Sequence, residues 1–211
     1  MATVVTADII GSRALPDRTD AQRRIEAVFA AVEADLPLAE RVLTATVGDE
    51  FQGEYPDLGA ALASILLLTL ALPDGLECRF GIGLGEAYTV DATAGQLAEG
   101  PAWWAARAAI DTLHAKQVRA MPAARTWIAA AEDEDAAVHE QVRLANAYVW
   151  ARDELVSAMG ERVRRLVYGR CMGLTQRELA AREQITQSAV SQLLTASGAA
   201  GLVEGFAQWR R

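Results

Sequence analysis

Cysteine is scarce in this chain: Cys78 and Cys171 stand far apart and without ligand spacing, which excludes a disulfide framework or a cysteine-based zinc site and fits a reducing compartment. Histidine is as scarce. His114 and His139 each lie alone in helical stretches, with no partner spacing for a metal or a triad, and read as surface or packing residues. A membrane-length apolar run is missing too. The most apolar stretch, Leu58 to Leu72, is broken by Ser64 and Thr69 and falls short of the ~20 residues a spanning helix needs. It reads as a helix buried against a sheet. No signal-peptide pattern, internal repeat or low-complexity linker is visible. The expected location is cytoplasmic, with no membrane partner.

What is present is unevenly distributed. The 211 residues are enough for one good core and a small second domain. Residues 1–150 hold 11 basic and 22 acidic side chains, whereas 151–211 hold 9 and 6, so a front at −11 is joined to a back at +3. Phosphate backbones repel the front unless cations intervene and attract the arginine-bearing tail. Any nucleic acid should meet the C-terminal end.

Residues 3–8 form a short β-branched run ending in Asp8 and the turn Ile9-Ile10-Gly11-Ser12. Thr19 and Gln22 suggest a capping box, and Ile25, Val28, Phe29, Val32 and Leu36 recur at helical spacing, which predicts a helix over 20–35. Arg41 to Val47 and Phe51 to Tyr55 are β-prone and flank Gly48-Asp49-Glu50, a hairpin with Asp49 at its tip. Asp57 caps the apolar helix. A further strand, Glu77 to Leu84, carries Gly81 and Gly83, which suggest close approach of another backbone or a ligand. The order β-α-β-β-α-β is the split β-α-β pattern of ferredoxin-like and palm folds. Pro101 opens a third helix, Arg125 to Ala130 adds an edge strand, and a long helix follows the acidic opening Glu132 to Asp135.

One helix and one strand separate Asp8 from Asp49, enough to bring both carboxylates to one sheet edge. Adjacent carboxylates repel unless a cation lies between them. Mg²⁺ or Mn²⁺ is a hard cation that bridges carboxylates to phosphate oxygens, so Asp8, Asp49 and the Ile9 carbonyl are the candidate metal ligands. The backbone of Ile9, Ile10, Gly11 and Ser12 offers N–H groups to a triphosphate beside a helix N-terminus. The plainer alternative is that Asp8 bonds a turn and Asp49 occupies a hairpin tip, where Asp is common.

The C-terminal region carries a second pattern. Thr175 caps a helix that begins at Gln176 and holds Leu179 and Ala180 inward; Glu183 to Ile185 turn the chain; Thr186 caps a second helix with Ala189, Val190, Leu193 and Leu194 apolar. This is a helix-turn-helix. Gln187, Ser188, Ser191 and Gln192 are the neutral groups placed to meet base edges of double-stranded DNA, with Thr175, Gln176 and Thr186 beside them. Backbone contacts would come from Arg164, Arg165, Arg177, Arg182, Arg210 and Arg211. The alternative is a helix-turn-helix kept for protein contact, because its second helix has no Lys or Arg. With few phosphate contacts a single copy binds weakly, and a homodimer presenting two copies repairs that.

The segments Asp8-Ile9-Ile10-Gly11-Ser12, Val47-Gly48-Asp49-Glu50-Phe51, Arg79 to Glu86 and Gly100 to Arg107, in this order, resemble the catalytic core of class III nucleotidyl cyclases and diguanylate cyclases. With the helix-turn-helix behind it, the whole chain resembles the bacterial SatD family. The resemblance implies an α+β chain: a ferredoxin-like βαββαβ cyclase-like palm over 1–131, a connecting helix over 132–159 and an all-α helix-turn-helix domain over 160–211. It also implies metal ligation at Asp8 and Asp49, a head-to-tail dimer, and a catalytic part for Arg107 if the site is active. Two departures stand out. Trp103 replaces the Asn four residues before Arg107, and Ala45 replaces the base-reading lysine. Trp103 and Arg107 share a helix face at i, i+4, so Trp103 can stack on a base or pack the helix onto the sheet. Losing a transition-state donor costs on the order of 10²- to 10³-fold in rate. The expectation is a DNA-binding transcriptional regulator whose cyclase-like domain binds a nucleoside triphosphate or other nucleotide with Mg²⁺; the alternative is an active cyclase or other NTP-converting enzyme that the helix-turn-helix recruits.

Overall fold

The computed structural model describes residues 1–46, 48–92 and 95–209, with the backbone alone considered for 91–92 and 95–97. Val47, assigned above to a strand, and Arg210 and Arg211, proposed above as phosphate contacts, lie outside the described residues. The N-terminal region is mixed α/β and the C-terminal region all helical. β1 (Ala2–Ile9), α1 (Arg18–Asp35), β2 (Arg41–Ala45), β3 (Glu50–Tyr55), α2 (Leu58–Ala71) and β4 (Cys78–Gly85) follow the expected order. A two-stranded arm follows, β5 (Tyr88–Ala92) and β6 (Gly95–Glu99), then α3 (Pro101–Arg119) and β7 (Thr126–Ala130). The main sheet runs β2-β3-β1-β4-β7, antiparallel except where β7 lies parallel to β4.

Alternation along β1 divides the sheet into two faces. Val5, Ala7 and Ile9 point into the main core with Phe51, Phe80 and Ile82, beneath α1 and α2. Val4 points the other way, onto α3, where it packs with Ala102, Trp103 and Ala106. Gly81 and Gly83 explain why α3 lies so close: a Cβ at either position would run into the carbonyl of Ala106 or Ala102. α1 is capped by Asp17, whose Oδ1 accepts from the Asp20 N–H at 2.9 Å, rather than by a box at Thr19.

α2 is apolar all round because both its sides are covered. One side lies on the sheet and the other on the C-terminal helices α5 (Glu161–Cys171) and α8 (Ala199–Trp209). One contiguous apolar core therefore passes from the sheet through α2 into the terminal region. Each fully buried Leu or Ile in it contributes roughly 1.5–3 kcal/mol relative to exposure. α4 (Ala136–Ser157) is docked on the outer edge of the sheet. Asn146 Oδ1 accepts from the Ile128 N–H (3.0 Å) and its Nδ2 donates to the Ile128 carbonyl (2.9 Å), so one amide takes the place of a neighbouring strand. Asp153 Oδ2 accepts from the N–H groups of Arg125 (2.6 Å) and Thr126 (2.8 Å). Covering the edge in this way blocks edge-to-edge pairing.

Candidate functional site

At the end of β1 the sheet carries a row of charge. Register places Asp8 opposite Glu50 on β3 and opposite Arg79 on β4, so all three share the face that α3 covers. Asp8 Oδ2 accepts from Arg79 Nη1 at 2.7 Å, and Glu50 is ion-paired with Arg107 of α3. The row therefore reads Arg107, Glu50, Asp8, Arg79. Like charges directly opposite in a sheet repel, and the two flanking guanidinium groups offset part of that cost.

Arg79 is firmly held. Its Nε donates to Gln117 Oε1 at 2.6 Å, and Gln117 Nε2 donates to the Ala124 carbonyl at 2.6 Å. Asp8 is not satisfied on both sides: Oδ1 is buried with no hydrogen-bond partner among the described residues. Burial pushes the Asp8 carboxyl above the usual 3.8, against the pull of Arg79, and the nearby charge of Asp49 raises it further. A carboxylate oxygen that is buried and unpartnered, with a second acidic group acting on it, suits a small hard cation. Asp49 is half-buried in the turn just before β3. Among the described residues no cluster of three or more His, Cys, Asp or Glu is placed to cage a metal. The protein side thus fits a cation that takes one or two carboxylates and fills its remaining positions from elsewhere.

Glu50 directly follows Asp49, and in a continuous strand the two would face opposite sides. The strand begins at Glu50, and its register with β1 puts Glu50 on the same face as Asp8. Gly11, at φ 67° in the left-handed region, bends the following turn into a short 3-10 helix, Ser12–Ala14. The Ile10 N–H already donates to the Glu77 carbonyl at 2.9 Å, and the Ala14 N–H to the Gly11 carbonyl at 2.8 Å. Any phosphate cradle here therefore rests on Gly11 and Ser12 rather than on Ile10.

Trp103 and Trp104 sit in unlike places. Trp103 is buried against Val4 and Ala106 with the Arg41 guanidinium 5.2 Å from its ring centre, so it packs the helix onto the sheet. Trp104 is 61% exposed, and its Nε1 donates to Glu99 at 3.3 Å. Arg107 is half-exposed beside Glu50.

The C-terminal helices pack on one another. α6 (Gln176–Glu183) opens on a capping box between Thr175 and Glu178, and α7 (Gln187–Ala196) on Thr186, whose Oγ1 accepts from the Ala189 N–H at 3.2 Å. Gln184, at φ 55°, closes α6 in the left-handed region. Leu179, Ala180, Val190 and Leu194 are buried. Thr175, Thr186, Gln187, Ser188 and Gln192 are exposed, while Gln176 and Ser191 are half-buried. Several of the arginines assigned above to phosphate contacts are engaged within the molecule. Arg164 pairs with Asp74 at 2.7 Å, and Arg165 donates to both carboxylate oxygens of Glu183 at 2.8 and 2.7 Å. Arg177 and Arg182 are exposed and form no ion pair among the described residues.

No helix among the described residues is long and apolar enough to cross a membrane. The profile of the SatD family matches residues 2–202, and the chain belongs to that family. No functionally curated protein matches it. Among solved structures, the chain is similar to an adenylate cyclase from Trypanosoma brucei (18% identity over 50% of this chain and 66% of that one, TM-score 0.42). It is also similar to a bacterial light-regulated adenylyl cyclase (13% identity, 60% and 74%, TM-score 0.45). A third is the guanylyl cyclase domain of the RhoGC fusion protein from Blastocladiella emersonii (17% identity, 53% and 73%, TM-score 0.41). The chain spans just under two thirds of the trypanosomal chain.

Proposed function

We propose that this SatD-family protein is a DNA-binding regulator whose N-terminal domain, a ferredoxin-like βαββαβ palm of the nucleotidyl cyclase kind, binds a nucleotide together with Mg²⁺ or Mn²⁺. The observation that carries this reading is Asp8 Oδ1, an acidic oxygen buried without a partner at the strand end where β1 meets the Gly11 turn. Leaving such an atom unpaired costs about 1–3 kcal/mol, more when it is charged. A sheet that keeps it, opposite Glu50 and within the field of Asp49, is suited to take up a positive charge. When bound, the cation would neutralise these carboxylates and the phosphate oxygens of the ligand.

The residues divide the work. Asp8, Asp49 and the Ile9 carbonyl hold the ion, and the backbone of Gly11 and Ser12 faces the phosphates. Arg107 is the cation nearest the open side of the row, but it reaches phosphate only on leaving Glu50. Trp103, buried as it is, holds α3 in place and leaves the ligand's base to other groups. Gln187, Ser188 and Gln192 read DNA, and a homodimer supplies the phosphate contacts that Arg177 and Arg182 alone cannot.

The test is thermal stability of the pure protein with ATP, GTP, CTP and UTP, with and without Mn²⁺, in wild type and Asp8→Asn. A ligand at a hundred times its Kd adds about 2.7 kcal/mol, a rise on the order of 5–10 °C for a chain of this size. The expected result is a cation-dependent rise with at least one nucleotide, lost in Asp8→Asn, together with nucleotide-dependent retention of genomic DNA fragments. No rise with any of them, or an equal rise in the variant, removes the sensor. Pyrophosphate release that Asp8→Asn abolishes would move the reading to an enzyme recruited by its helix-turn-helix.

A further inference from the structure

Resting on the nucleotide-binding reading just given, we infer that the acidic end of the sheet holds one divalent cation per chain, and that the Arg79 guanidinium stands where a second would have to bind Asp8. A carboxylate that spans two metals through both oxygens gives one to each, and sharing a single oxygen would crowd two divalent ions beside the Arg79 guanidinium. Asp8 has one to offer. Its Oδ2 is taken by Arg79 Nη1 at 2.7 Å, and only Oδ1 lacks a partner among the described residues.

Arg79 cannot easily give way. Its side chain is 12% exposed, and its Nε is tied to Gln117, itself tied to the Ala124 carbonyl, by two bonds of 2.6 Å. Displacing the guanidinium would break both its bonds and leave a largely buried charge unpaired, which proteins avoid strongly. A divalent ion approaching the same side of Asp8 would also meet that fixed positive charge at contact distance. The opposite side differs. Glu50 lies across the strand pair from Asp8, and Arg107, which neutralises it, is half-exposed. One ion is therefore left the Oδ1 side of Asp8, with Asp49 acting on it from the turn before β3, and the carboxylates available to it among the described residues number too few for a closed cage. A Mg²⁺-like ion that keeps waters and takes phosphate oxygens needs no more than one or two carboxylates.

Native mass spectrometry of the full chain with Mn²⁺ and the α,β-methylene analogues of ATP, GTP, CTP and UTP counts the ions directly. Expected are one Mn²⁺ per chain in the nucleotide complex of the wild type, none in Asp8→Asn, and two in Arg79→Gln, which removes the charge while keeping an amide beside Gln117. Asp8→Asn retains an acceptor for Arg79, and a circular-dichroism melt checks that each variant folds. Two ions in the wild type overturn this inference and leave the nucleotide reading standing. No ion in the wild type, or one that persists in Asp8→Asn, overturns both. A single ion in Arg79→Gln overturns the part given to Arg79, and if that variant does not fold, Arg79→Met is counted in its place.

Discussion

Glu50 is the residue whose face is settled by register. Its ion pair with Arg107 joins β3 to α3 directly over the proposed ligand site, and Arg107 must leave it to meet a phosphate. A half-exposed pair of this kind contributes about 0.2–1 kcal/mol, which a triphosphate has to repay before it gains the arginine. Glu50→Gln should therefore tighten nucleotide binding by roughly 1.4- to 5-fold, each 1.4 kcal/mol being tenfold in affinity. Isothermal titration with Mn²⁺ and the nucleotide that stabilises the protein is the measurement. Weaker binding in Glu50→Gln would show that the carboxylate itself belongs to the cation's shell and would remove its part as a brake. The face of Glu50 was not legible in the sequence, because it depends on the pairing of β3 with β1, a contact 42 positions apart, while Asp49 stands in the turn before the strand and outside its alternation.

At the scale of the element, local signals carried far. The apolar periodicity of α1, the Asp57 cap of α2, Pro101 at the start of α3 and the two threonine caps of α6 and α7 are properties of neighbouring residues, and all are where the sequence put them. The β5–β6 arm was missed although Tyr88-Thr89-Val90-Asp91-Ala92 alternates apolar with polar residues, because the run is only five residues long and its partner Gly95-Gln96-Leu97-Ala98-Glu99 has no such pattern. Asn146 and Asp153 were also silent, since a polar residue within a helix gives no sign that it completes a sheet edge. The ion pairs clasping α5 to α6 are another contact of this kind. Arg165, and more loosely Arg162, hold Glu183, and the hydrogen bonds from Arg165 keep its carboxyl below the ordinary 4.5. For an acid whose pKa is lowered on folding, the stabilisation is present above the unfolded value and disappears as pH falls through the folded one. Glu183→Gln should thus destabilise modestly at pH 7, within the roughly 0.2–1 kcal/mol of such surface pairs. Its urea midpoint should converge on that of the wild type below about pH 4. A gap that stays constant down to pH 3 would assign the loss to packing instead.

At the scale of the molecule, the loop between α2 and β4 touches both proposed working ends. The Glu77 carbonyl accepts the Ile10 N–H beside the proposed phosphate turn, and the Glu77 carboxylate pairs with Arg125 at 2.7 Å. Three residues earlier in the chain, Asp74 pairs with Arg164 of α5 at 2.7 Å, and Arg164 also donates to the Leu72 carbonyl at 3.0 Å. With α2 gripped between the sheet and α5, a shift of the Ile10–Ser12 turn on binding phosphate would have a short path of packed and hydrogen-bonded groups into the helices proposed to read DNA. Proximity alone does not establish coupling, which is a free energy between two sites and acts in both directions. Arg164→Ala cuts the loop's polar link to α5 while leaving Asp8 and the exposed face of α7 untouched. If the loop carries the signal, nucleotide should alter DNA affinity in the wild type by on the order of 5- to 150-fold. In Arg164→Ala each ligand should still bind alone, but the ratio should fall toward one. Fluorescence anisotropy of a retained DNA fragment, titrated with and without nucleotide and Mn²⁺, measures that ratio. An unchanged ratio in Arg164→Ala would leave the buried contacts of α2 with α5 and α8 as the route between the two ends.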